Sequence, residues 1–304
     1  HTKRVGGLVE AFAFNKHGAG PASGLPAGLS TGLLQVPEPT TIADIATFAA
    51  VNGWAPGTFT DLLRPKELAN EFSIHFDYWS PTQSEKPDVT DFIFSDGGTY
   101  EDLPLISFLQ RRVARVILFV NDAKPLYPAD RYNPYTDVYT GEEASLNIAA
   151  YFGVFPSPPE KFTDLVTEYS KNQVFPTENY GDVISSLQAA QKAGKGIIAT
   201  FNLTTIENDW WGVPAGIETQ ITFVHIGRLT SWEDRLPSDM KSHFVPENNP
   251  EDLTNLVDDP DYFHFPHYLI TGGNQDAKAA NALSSLTGWT IMENAETFRQ
   301  LLQA

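Results

Sequence analysis

Between residues 89 and 122 the hydrophobic pattern changes twice, and this constrains the fold more than any other stretch. Phe92-Ile93-Phe94 is a short apolar run that predicts a strand. Asp96-Gly97-Gly98 predicts a turn, because glycine reaches backbone angles that other residues avoid. Residues 103–112 then place Leu105, Phe108 and Leu109 on one helical face. Val116-Ile117-Leu118-Phe119-Val120 is a continuous apolar run, which predicts a strand buried on both faces. Strand, turn, helix and strand in this order predict a βαβ unit and therefore a parallel strand pair. The expected class is α/β, with a mixed or mostly parallel central sheet and helices on both faces.

The flanking segments fit around that unit. Residues 1–40 are rich in Gly and Pro, as in His17-Gly18-Ala19-Gly20-Pro21, and predict an irregular arm. Helical patterns follow at 40–51 and more weakly at 60–71, so residues 41–125 form the segment around the Asp-Gly-Gly turn. Residues 126–304 add peripheral strands and helices. Helices are expected at 159–171, 182–194, 250–257, 276–286 and 294–303, and strands at 196–206 and 217–227. The two strands are joined by a hairpin-like loop carrying Trp210 and Trp211. No internal repeat or linker divides the chain, which predicts a single α/β unit over 1–304.

Charge narrows the partners. Asp plus Glu number 38 against 20 Lys plus Arg, a formal net charge of −18. Such a chain repels a phosphate backbone, which argues against nucleic acid, and also repels an anionic lipid surface. No apolar run approaches the roughly 20 residues that span a bilayer, so no transmembrane segment is expected. Cysteine is absent, which removes disulfides, thiolate catalysis and Cys-based metal sites. No cofactor is implied. The first residue is His1, which predicts a processed product or part of a longer chain. Asn202-Leu203-Thr204 is a glycosylation sequon that matters only on a secretory route. Processing fits a soluble secreted or vacuolar/lysosomal protein, although no compartment follows from the sequence.

The run Ser95-Asp96-Gly97-Gly98-Thr99-Tyr100-Glu101-Asp102-Leu103-Pro104-Leu105, leading into the apolar strand, resembles the patatin and cytosolic phospholipase A2 superfamily. The resemblance covers roughly residues 40–125. Fainter likeness to the lysophospholipase branch lies in Trp210-Trp211-Gly212-Val213, Phe265-Pro266-His267-Tyr268 and Leu286-Thr287-Gly288-Trp289. It implies a patatin-like fold and an acyl-ester hydrolase acting on phospholipid or lysophospholipid. It also implies a Ser–Asp dyad in which Asp96 is the general base and Gly97 and Gly98 form the supporting turn. Where the family has Asn-Leu-Pro, this chain has Asp102, which accepts but cannot donate hydrogen bonds when ionised.

The serine is harder to place. Gly28-Leu29-Ser30-Thr31-Gly32 is spelled like a nucleophile elbow, but a Gly/Pro loop precedes it and Pro37 and Pro39 follow. Ser30 is therefore a candidate nucleophile in a context that reads as loop, and Gly6-Gly7 is an equally weak oxyanion loop. The economical expectation is the C-terminal portion of a larger hydrolase, with a companion chain carrying the serine and oxyanion loop. The alternative is a non-catalytic scaffold that retains the fold. His264-Phe265-Pro266-His267, beside Asp258, Asp259 and Asp261, has metal-ligand spacing, but Pro266 and the aromatic neighbours favour packing. His75 and His225 read as core histidines, Arg111-Arg112 as a helix C-terminal pair, and Tyr127 to Tyr139 as a surface loop or apolar groove.

Overall fold

The computed structural model describes residues 74–78, 90–94, 97, 98, 100–157, 169–244, 262, 264–268 and 277–303. Packing divides the chain between Asp102 and Leu103 into two compact units. The boundary falls within the stretch that the sequence joins into one motif.

In the first unit, strand β1 (Ile74–Tyr78) pairs antiparallel with β2 (Thr90–Phe94). The Tyr78 and Phe92 rings meet edge to face with centroids 5.6 Å apart. Burial of Tyr78 pushes its phenol up to about 12. His75 lies on the solvent side of this ribbon, Nδ1 2.8 Å from Asp91 Oδ2, and is not a core residue.

The second unit begins with helix α1 (Leu105–Gln110), which buries Leu105, Ile106 and Leu109. Strand β3 (Arg115–Val120) follows. Helix α2 (Leu146–Tyr151) arises inside a stretch whose composition suggests only loop, started by the Ser145 cap. Helix α3 (Asn179–Ala193) buries Tyr180, Val183, Ile184 and Leu187 at helical spacing and packs on β4 (Ile197–Thr204). Gly194 ends α3 with a left-handed φ of 71°. Strand β5 (Glu218–His225) precedes α4 (Thr230–Glu233) and α5 (Ser238–Phe244), and α6 (Ala277–Glu293) and α7 (Ala295–Gln303) close the sequence of elements.

The sheet of this unit runs β3-β5-β4, with β3 parallel and β4 antiparallel to β5. Helices around a mixed sheet with a parallel pair make this an α/β unit, as the sequence predicts. The βαβ expectation fails in its pairing: β2 and β3 lie in different sheets, and the parallel partner of β3 is β5. Apolar runs reveal strands, but pairing is set by tertiary contacts far along the chain.

Burial corrects a second expectation. In the described sheet β5 is central, and Ile221, Phe223 and Val224 are fully buried. β3 flanks it and alternates, burying Val116, Leu118 and Val120 while Phe119 remains 41% exposed. The outward Phe119 ring stacks on Phe298 of α7 at 6.3 Å. The Trp-bearing loop between β4 and β5 is closed by Asn208. Its side-chain amide donates to Lys171 O and Gln173 O at 2.7 and 2.8 Å, and its carbonyl oxygen accepts from Trp211 N at 3.0 Å.

Candidate functional site

Asp96 and Ser30 lie outside the described residues, as do Gly6, Gly7, Asp258, Asp259 and Asp261. β2 ends at Phe94, and beyond it Gly97 O accepts from Tyr100 N at 2.8 Å and from Glu101 N at 3.0 Å. The chain therefore turns where the glycines predict it. Gly97 itself has no left-handed φ, and a Cβ built there meets nothing within 4 Å. Its contribution is open space beside the turn, not a backbone angle that only glycine can hold. Asp102 is exposed.

The C-terminal ends of the parallel strands carry a second group, which sequence reasoning passed over in part. Open α/β sheets place polar chemistry at this edge. Asp122 stands two residues after β3, and its Oδ2 accepts from Ser145 Oγ at 2.5 Å. Its Oδ1 accepts from Lys124 N at 3.1 Å, and its backbone carbonyl lies 2.9 Å from His267 Nδ1. His225 ends β5, with its ring 6.2 Å from that of His267. Arg228 donates from Nε and Nη2 to the two Glu233 carboxylate oxygens at 2.8 and 3.1 Å, and also to Phe244 O. The Arg228 side chain is fully buried.

Burial controls the charges here. His225 is pushed down to about 3, first by desolvation and then by His267. His267 is also lowered by burial, against the pull of the Asp122 carbonyl and carboxylate and with a further push from Arg228. Burial raises the Glu233 carboxyl, while the hydrogen bond and charge of Arg228 hold it back. The core expectation for His225 is right about burial and wrong about satisfaction. Neither ring nitrogen has a hydrogen-bond partner among the described residues. Leaving a buried polar group unpaired costs about 1–3 kcal/mol.

Chemically this group is two sets of bonds, Asp122 with Ser145 and His267 and Arg228 with Glu233, beside the His225 ring, unbonded among the described residues. Ser145 and Asp122 form a serine–carboxylate pair, but Ser145 is wholly buried and its Oγ also accepts the Ile148 N–H that starts α2. An ester cannot reach that oxygen. The Phe265–Pro266 corner brings His267 to the strand ends, while Phe265 stacks on Trp232 at 5.6 Å. His264 points its backbone through a left-handed φ of 70°. Among the described residues, no three or more His, Asp or Glu side chains group as a metal site. The signal that could have found Asp122 and Arg228 is positional: a polar residue just after a strongly apolar strand.

Comparison with protein-family models, with curated proteins and with solved structures finds no match to this chain. Among the described residues no helix is long and apolar enough to cross a membrane.

Proposed function

We propose that this chain belongs to an acyl-ester hydrolase of the patatin and phospholipase A2 kind, with Asp96 as the general base of a Ser–Asp dyad. The substrate class is a phospholipid or lysophospholipid ester. The observation that carries this reading is the order of elements about the motif: a strand ending at Phe94, a hydrogen-bonded turn at Gly97, then α1 and β3. In such a dyad the carboxylate takes the serine proton as the hydroxyl attacks the ester carbonyl, and returns it to the leaving alkoxide. The nucleophile is Ser30 or a serine on a companion chain.

The test uses the complete natural protein and a short-chain nitrophenyl ester. Asp96→Asn lowers kcat by roughly a thousandfold or more, whereas Asp102→Asn, at an exposed position, leaves most activity. Equal activity of Asp96→Asn and the parent overturns the assignment. Mass mapping of a fluorophosphonate adduct identifies the serine, and Ser30→Ala checks it.

One observation favours a second reading. β2 pairs only with β1 among the described residues, in an antiparallel ribbon, so the turn does not follow a strand of the parallel pair. A non-catalytic binding or scaffold protein could keep the turn without the chemistry. No fluorophosphonate label on folded protein, with no ester turnover, selects that reading.

A further inference from the structure

The loop between β3 and α2 folds against the start of α3 and leaves a groove of about 350 Å³. Its floor is aromatic: Tyr132, Tyr139 and Tyr180 are buried beneath it, and Phe155 lines it. Its rim carries Tyr135 and Val138, which remain 60% and 66% exposed. Large exposed apolar side chains side by side call for an explanation.

Tyr135 is not a loose surface side chain. Its hydroxyl donates to Asp182 Oδ1 at 2.7 Å and lies 3.2 Å from Ser185 Oγ. Its backbone N–H donates to Asn133 Oδ1 at 3.0 Å. Its ring rests on Gly181 of α3, where a Cβ would come within 2.3 Å of the ring. Glycine within a helix costs about 1 kcal/mol relative to alanine. Here it seats an aromatic residue that remains 60% exposed. A ring already immobilised gives up little entropy when a partner lands on it.

The described lining of the groove is acidic: among the described residues that line it none is Lys or Arg, while Asp137 and Glu178 both do. The Glu178 carboxylate makes no capping bond to α3 and has no ion-pair partner among the described residues. The α3 N-terminus contributes only about half a positive charge, which these two carboxylates outweigh. Arg131, next to the groove in sequence, has its guanidinium over the Tyr127 ring at 4.3 Å.

We propose that this groove binds a basic peptide segment of a partner protein, with a Lys or Arg laid on the Tyr135 ring and its charge facing Glu178 and Asp137. An aliphatic neighbour on the peptide would cover Val138. Aromatic faces and carboxylates together select a cation with an apolar stem. This assignment does not rest on the hydrolase reading.

The test is fluorescence anisotropy of a labelled peptide of alternating Arg and Val, titrated with the intact protein. Saturable binding is expected, weakening as ionic strength rises from about 0.05 to 0.3 M. Tyr135→Ala should weaken it about tenfold, and Tyr135→Phe, which keeps the ring, by no more than about threefold. Glu178→Gln should weaken it about threefold, and Glu293→Gln, the same charge change at the end of α6, should leave it unchanged. Equal effects of Glu178→Gln and Glu293→Gln, or none from Tyr135→Ala, would mean general attraction to the acidic chain and would overturn the site. Absence of binding overturns it also. Full displacement by millimolar tetramethylammonium would overturn the peptide assignment in favour of a small cation.

Discussion

Two strand ends in this protein contrast in how open the described chain beyond them is. Beyond β2, Gly97 is exposed and bounded by open space. Beyond β3 and β5 stand Asp122, Ser145, His225, Arg228, Glu233 and His267, all but Asp122 buried. The glycine of the first place is open to solvent, and most side chains of the second are closed in the interior of their unit. A sequence shows both as polar residues after apolar strands, so proximity to a strand end does not by itself mark a site of chemistry.

The sharpest way to break this comparison is to remove one member of the buried ion pair. Arg228→Ala leaves the Glu233 carboxyl unpaired in the interior, and loss of about 3–5 kcal/mol is expected in urea unfolding. A loss no greater than that of a surface substitution would show that the network does not hold the fold.

Acid tests the same group more gently. His225 is held neutral in the fold with its pKa depressed to about 3, against 6.5 for the unreacted ring. The unfolded chain therefore binds more protons between those values. Its contribution is fully present above pH 6.5 and is lost as pH falls toward 3. By pH 5 His225 alone should remove about 2 kcal/mol, and His267, also depressed, acts in the same direction. The charged groups facing the pair are Asp122 after β3 and Arg228 after β5, and the Asp122 carboxylate partly offsets the shift at His267. His225→Phe should flatten the stability profile measured between pH 7 and pH 5; an unchanged slope would reject the buried histidine as its source.

The smallest effect belongs to the open turn. Gly97→Ala should change stability by less than about 0.5 kcal/mol, because the new methyl meets no atom and no left-handed angle is required. Gly196→Ala supplies the contrast: its φ is +140° and its Cβ would meet Asn294 Nδ2 at 2.5 Å. Matching losses at both positions would erase the distinction.

Legibility followed the range of the interaction. The β4–β5 hairpin was readable, since its strands are neighbours in sequence and its Trp loop announces a reversal. Helix α3 was readable as a helix over 182–194, and it begins three residues earlier, at Asn179. Helix α2 was not, because six residues started by a serine cap leave too short a period among Tyr, Pro and Asp. The pairing of β2 was misread for another reason. Strand, turn, helix and strand describe four local states, and nothing local distinguishes a parallel return from a new sheet.

The amino-acid order by itself determined the net charge of −18, the absence of thiol chemistry, the existence of most of the described strands and helices, and the turn at Gly97. These depend on composition and on backbone preferences within a few residues. Tertiary structure alone decided that β3 joins β5, that His225 is buried without a hydrogen-bond partner among the described residues, and that Tyr135 is seated on Gly181. Each of those brings together residues distant in sequence, where burial and contact, not local preference, set the energy.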